Sequence, residues 1–98
     1  MEINKVQNGN KLEIALAGRL DTTTAPRLEA ELKDSLEGVS ELVLDFMGLD
    51  YISSAGLRVL LASQKTMNKQ GSMLIRNVNE EIREVFEITG FSDILTLA

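Results

Sequence analysis

The sequence predicts one α/β domain spanning residues 1–98, on a mixed, mostly parallel sheet of about five strands in the order β-β-α-β-α-β-α-β. Three observations carry this reading. A glycine turn, Asn8-Gly9-Asn10, separates two segments, and the second alternates Leu12, Ile14 and Leu16 on one side, the pattern of a β-hairpin. The run Leu42-Val43-Leu44 with Phe46 shows little alternation, as expected of a central strand covered on both faces. Apolar residues recur at helical spacing between the later apolar runs, and helical crossovers make the strands they join parallel and the connections right-handed.

Each element has its own local signal. The hairpin occupies the N-terminal segment and Lys11 to Ala17. After Gly18-Arg19-Leu20-Asp21, the run Thr22-Thr23-Thr24 and Pro26 supply a cap and a first-turn proline for a helix with Leu28, Leu32 and Leu36 inward. Glu41 to Phe46 is the middle strand, and a second helix runs from about Ala55 to Lys69, with Leu57, Leu60, Leu61, Gln64 and Met67 on one face and Gly71 to end it. Ser72 to Arg76 is a short buried strand. Asn79 with Glu80 and Glu81 caps a third helix, whose Ile82, Val85 and Phe86 face inward, and Gly90 stops it. A last strand is expected from Ile94 to Leu97.

Composition narrows the chemistry. The chain has no histidine, which removes Ser-His-Asp and Cys-His nucleophile activation, and no cysteine, which removes disulfides and thiolate metal sites. A net charge of −5 gives no basic footprint for nucleic acid or anionic membrane. No apolar signal core or membrane-length apolar run is present, and the cysteine-free composition fits a cytoplasmic protein. GxSxG and GxxxxGK[ST] are both absent, so neither a hydrolase elbow nor a P-loop is encoded. The expectation is a binding module without cofactor or metal, not an enzyme. Asp21, Asp45 and Asp50 could be grouped as magnesium ligands, but Asp50 reads better as a turn residue.

The stretch Asp50-Tyr51-Ile52-Ser53-Ser54-Ala55-Gly56-Leu57-Arg58 concentrates what functional signal there is. Ser54, or Ser53, is placed to cap the second helix. A cap needs one hydroxyl, and Gly56 in the first turn costs up to about 1 kcal/mol relative to alanine unless something approaches the backbone closely. In open α/β sheets partners meet the carboxyl ends of parallel strands, where Gly18-Arg19-Leu20-Asp21 and Gly48-Leu49-Asp50 are expected to converge as loops. A helix start tolerates an anion, so phosphorylation of Ser54 is physically easy there and would act on binding rather than on the fold. Asp21 could shape this surface or simply satisfy backbone in its turn. Val59 and Ala62 form an apolar strip opposite Leu57, Leu60 and Leu61, to be covered either by a partner or by a neighbouring helix. Arg58 could pair with a phosphate or with water.

Gly18-Arg19-Leu20-Asp21, the run LVLDFMGLDYISSAGLRVLL and the later GSMLIRNVNEEIREVFEITGF occur in the order found in STAS domains. Over essentially its whole length the chain resembles that family, and specifically the bacterial anti-sigma-factor antagonists. The family motif is Asp-Ser-Ser/Thr-Gly-Leu, and alignment on Gly56-Leu57 places the phosphoacceptor at Ser54, with Ser53 as the alternative because it stands where the family has an acid. The resemblance implies a partner-switching cycle. The unmodified protein binds an anti-sigma serine kinase and frees a sigma factor, phosphorylation ends the complex, and a PP2C-type phosphatase restores it. The partner-facing residues implied are Asp21, Ser53, Ser54, Gly56, Leu57, Arg58 and Val59. The alternative is a constitutive STAS subunit of a larger, for example transporter-associated, assembly with no phosphorylation cycle.

Overall fold

In the computed structural model, which describes residues 1–98, the hairpin is β1 (Glu2–Asn8) and β2 (Lys11–Leu20), followed by α1 (Ala25–Ser35) and β3 (Glu41–Ile52). Then come α2 (Ser54–Gln70), β4 (Ser72–Arg76), α3 (Glu80–Thr89) and a 3-10 turn at Phe91–Asp93. The sheet order is β1-β2-β3-β4, with β1 antiparallel to β2 and the β2/β3 and β3/β4 pairs parallel.

The sheet has four strands rather than about five. The expected final strand is reduced to one bridge, Ile75 to Leu97, in which Ile75 N donates to Thr96 O and Ala98 N to Ile75 O, both at 2.9 Å. Gly90 ends α3 in the left-handed conformation at φ 80°, the 3-10 turn takes up the next residues, and Leu95 is buried in the core.

The middle strand also differs from the expectation of two covered faces. Leu42, Leu44 and Phe46 join Leu12, Ile14 and Leu16 of β2 and Met73 and Ile75 of β4 in one core. Onto that face α1 sends Leu28 and Leu32, α2 sends Leu57 and Leu60, and α3 sends Ile82 and Phe86, whose ring lies 6.5 Å from that of Phe46. Fully burying each such side chain contributes about 1.5–3 kcal/mol. Val43 is buried too but lies outside this core, between its sheet neighbours Glu13 and Leu74. The helices therefore cover one face, and an unalternating run gave no warning of this because Val43 is shielded by its strand neighbours.

On the open face Arg76 bridges Asp45 at 3.3 Å and Glu13 at 3.4 Å. The Asn77 side-chain amide, above all, then the Met47 N–H and Arg76, hold the Asp45 carboxyl below the usual carboxylate range despite some opposing desolvation. A depressed folded-state pKa stabilises above the unfolded value of about 4 and loses that contribution as pH falls through the folded value. Asp45→Asn is expected to lower the urea midpoint at neutral pH and to flatten the acid limb, so that the two proteins converge as pH falls below the unfolded-state value and through the depressed folded-state one.

β2 and β3 run further than their alternation suggested, to Leu20 and Ile52. Gly18 pairs with Leu49, Arg19 with Tyr51 and Leu20 with Ile52, after register shifts between Ala15 and Ala17 and between Gly18 and Arg19. Apart from Asp21, which begins the turn into α1, the segments expected as converging loops are thus paired strand ends. Glycine and aspartate are poor strand formers, and irregularities of this kind break the two-residue period on which sequence patterns depend.

α2 buries Gly56, Leu57, Val59, Leu60, Ser63, Gln64 and Met67, while Leu61 is only half-buried and Ala62 is exposed. The covered face is rotated from the expected one because α1 packs beside α2, its Leu32 and the Leu36 that follows it lining the same groove as Val59. Gln64 is 6% exposed; its Nε2 donates to Asn68 Oδ1 at 2.9 Å, but its Oε1 has no partner. An unsatisfied buried acceptor costs about 1–3 kcal/mol. Gln64→Met keeps the shape and removes that acceptor, and is expected to raise stability by about 1 kcal/mol in urea denaturation.

Candidate functional site

The carboxyl ends of β2 and β3 meet the start of α2. Ser53 N donates to Leu20 O at 2.9 Å, tying the helix entry to the neighbouring strand. Ser53 is extended, at φ −98° and ψ 175°, and its Oγ accepts from Gly56 N at 3.4 Å, so Ser53 is the helix cap. The Ser53 carbonyl then takes Leu57 N at 3.0 Å. Ser54 is the first helical residue, one earlier than expected, and is exposed, with no hydrogen bond to its hydroxyl. The two serines divide the work: one hydroxyl holds the helix end and the other faces solvent.

Gly56 has an internal explanation. A Cβ at this position would lie 2.7 Å from Leu20 Cγ and 2.9 Å from Ile52 Cγ1. The close approach foreseen for this turn is made by the chain's own core, where the two paired strand ends pass beneath the first turn of α2.

Asp21 organises the entry to α1. Its Oδ1 accepts from Thr23 N at 3.0 Å, Thr24 N at 3.1 Å and Thr23 Oγ1 at 2.8 Å. Thr24 Oγ1 accepts from Asp21 N at 2.8 Å and donates to Arg19 O at 2.7 Å. The Thr23 hydroxyl is the main influence holding the Asp21 carboxyl below its ordinary range, with the Thr23 and Thr24 backbone N–H groups and the Thr24 hydroxyl acting in the same direction against some desolvation. Asp21 thus serves the turn backbone, the plainer of its two sequence readings. Thr24 itself makes no side-chain cap bond to α1, contrary to expectation, because its hydroxyl is spent on this turn.

Of the expected partner-facing set, the structure brings Asp21, Ser53, Ser54 and Arg58 to the surface at this edge, with Asp21 and Ser53 half-buried. Gly56, Leu57 and Val59 are buried beneath it and hold the turn in place. Ala62 remains exposed on the rim, while the neighbouring-helix reading holds for Val59. Arg58 lines a recess of about 180 Å³ with Thr22, Ala25, Pro26, Glu29 and Ala55. Sequence reasoning missed Arg19 and Tyr51. The Arg19 guanidinium lies 4.1 Å from the centroid of the Tyr51 ring and 3.8 Å from Asp21, and both Arg19 and Tyr51 are exposed. Their closeness depends on the register shift, which no local signal in the sequence announced. No three acidic side chains come together as a metal-binding group, so Asp21, Asp45 and Asp50 do not form a magnesium cluster.

Comparison with known proteins agrees with this architecture. A family model described as the STAS domain matches residues 2–98. Over 85 residues the chain is 44% identical to BtrV of Bordetella bronchiseptica, a protein ascribed the role of anti-sigma factor antagonist, covering 85% of this chain and 73% of that protein. It is 30% identical over 99 residues to the anti-sigma-B factor antagonist of Bacillus subtilis, covering 100% of this chain and 91% of that protein. In fold it is similar to the anti-sigma factor antagonist SpoIIAA in its unphosphorylated form, with a TM-score of 0.79 at 18% identity over 99% of this chain and 87% of that one. The phosphorylated form of Bacillus SpoIIAA gives a TM-score of 0.78 at 19% identity, covering 99% of this chain and 91% of that one.

Proposed function

The chain belongs to the STAS domain family, and from that premise we propose that it is an anti-sigma factor antagonist whose binding is switched off by phosphorylation of Ser54. The observation that carries this reading is the division of the two serines. Ser53 is engaged as the helix cap, whereas Ser54 presents a free hydroxyl at the exposed start of α2. The two relatives named above, each matched over most of its length, are known as anti-sigma factor antagonists, and SpoIIAA, which shares the fold, is a protein with a phosphorylated form.

The partner in this account is an anti-sigma factor that is also a serine kinase. It meets the edge formed by Asp21, Ser53, Ser54 and Arg58. Transfer of the γ-phosphoryl group of ATP to Ser54 Oγ releases ADP and the hydroxyl proton and places −1.5 to −2 charges in the interface. A PP2C-type phosphatase removes the group and restores binding. The domain supplies no catalytic group to either step: it is substrate and binding module, not an enzyme, and works in the cytoplasm with its partners. No helix is long and apolar enough to cross a membrane.

The mechanism needs no refolding. A charge at the first helical residue is worth only about 0.3–1 kcal/mol to the helix, whereas desolvating it against a partner shaped for a neutral serine costs several kcal/mol. Affinity capture from the source cell with the unmodified protein as bait tests the reading. It is expected to retain an anti-sigma factor with a kinase domain, and to lose it when ATP is supplied. Retention of a membrane transporter subunit, insensitive to ATP, would instead establish a constitutive assembly role.

A further inference from the structure

We propose that Arg58 is the built-in counter-charge for a phosphoryl group on Ser54. The inference rests on the reading of Ser54 given above and adds to it the residue that receives the phosphate. Ser54 and Arg58 are four residues apart in α2 and both exposed, so they lie on the same side of the helix, with Cβ atoms about 5–6 Å apart. Helical Cα–Cβ bonds tilt toward the N-terminus. From position 58 a long side chain can therefore reach back to the turn that carries Ser54, whereas the reverse placement would point it away; in the unmodified protein it lines the recess beside α1.

The surrounding charges leave Arg58 available. Arg19 is held by Asp21 at 3.8 Å and by the Tyr51 ring, and Glu29, which lines the same recess as Arg58, lies 3.9 Å from Lys33. The Arg58 guanidinium has no carboxylate within 4.0 Å and no hydrogen-bond acceptor, and Asp50, exposed near the end of β3, likewise makes no ion pair. A phosphoserine offers three acceptor oxygens, and a guanidinium can engage two of them at once.

The consequence is a double change from one modification. Before phosphorylation Arg58 presents a free cation on the docking edge. Afterwards it is folded onto the phosphate, so the edge gains negative charge and loses its nearest free positive charge together. Both changes oppose a partner that meets this edge with acidic groups.

The test uses the full chain with phosphoserine placed at position 54 by genetic encoding, which requires no kinase. Phosphorus NMR titration gives the second pKa of that phosphate in the Arg58 protein and in Arg58→Ala and Arg58→Lys, with circular dichroism as the check on fold. The helix N–H groups, Arg19, Asp21, Glu29 and Asp50 are common to all three, so the difference isolates residue 58. The expected result is a pKa about half a unit lower with Arg58 than with Arg58→Ala, part of the shift returning in Arg58→Lys. Equal values in the Arg58 protein and a folded Arg58→Ala would overturn the pairing. That outcome leaves phosphorylation of Ser54 as a switch intact, whereas a cellular phosphate mapped to another residue would remove the switch without altering this titration.

Discussion

Ser54→Asp is expected to weaken binding of the anti-sigma factor by at least about tenfold, equivalent to about 1.4 kcal/mol, while Ser54→Ala binds like the unmodified protein and cannot be switched off. The effect is electrostatic. Ser54 is exposed at the first position of α2 and its hydroxyl makes no internal bond, so neither change removes a contact that the fold uses. An aspartate at a helix start is mildly stabilising, by about 0.3–1 kcal/mol, so the two variants are expected to melt within a few degrees of the parent. Binding and stability should therefore separate. Isothermal titration against the purified anti-sigma factor, beside thermal unfolding of each variant, measures both. Loss of fold in Ser54→Ala would show that the hydroxyl serves the helix rather than the switch. Ser53→Ala provides the contrast: it removes the cap and is expected to cost about 0.5–2 kcal/mol of stability.

Gly56→Ala is expected to destabilise the domain by about 1–2 kcal/mol, against the general rule for helices. Alanine in place of glycine within a helix ordinarily gains up to about 1 kcal/mol. Here the added methyl would stand 2.7 Å from Leu20 Cγ and 2.9 Å from Ile52 Cγ1. Both neighbours are fully or nearly fully buried at the ends of paired strands, and overpacking of such a site costs about 1–3 kcal/mol. The clash outweighs the propensity. In a domain of this size each kcal/mol shifts the melting temperature by roughly 4–8 °C, so the effect is readily measured. Leu20→Ala in the same chain should relieve part of it, with a coupling visible in a double-mutant cycle. A rise in melting temperature for Gly56→Ala would mean that the turn can move away from the sheet.

These two residues show how much of the site was legible in the sequence. The adjacent hydroxyls and the glycine could be seen to mark a special turn, because capping explains one serine and no glycine. What could not be seen was which force each residue answers to. Gly56 looked like an opening for a partner, yet the close neighbours are Leu20 and Ile52, brought there by strand ends whose pairing passes through two register irregularities. The same irregularities hid the stacking of Arg19 on Tyr51.

For the fold, the long periodic elements were read correctly in kind and order, since their apolar spacing is set by burial against one sheet face. The departures arose where burial has another source. Val43 is covered by strand neighbours and not by a helix layer, and Leu95 is buried as a core side chain while its backbone scarcely pairs. Val59 turned inward because α1 lies beside α2, a contact between helices that no single-helix pattern specifies.

The measurement that bears most directly on the switch is peptide-resolved mass spectrometry of this protein after incubation with ATP and lysate of its own cell, with phosphatases inhibited. One phosphoryl group on the peptide carrying Ser53 and Ser54, localised by fragmentation to Ser54, is the expected result. Phosphate on Ser53 or elsewhere, or none while other phosphoproteins in the same lysate are labelled, would contradict it.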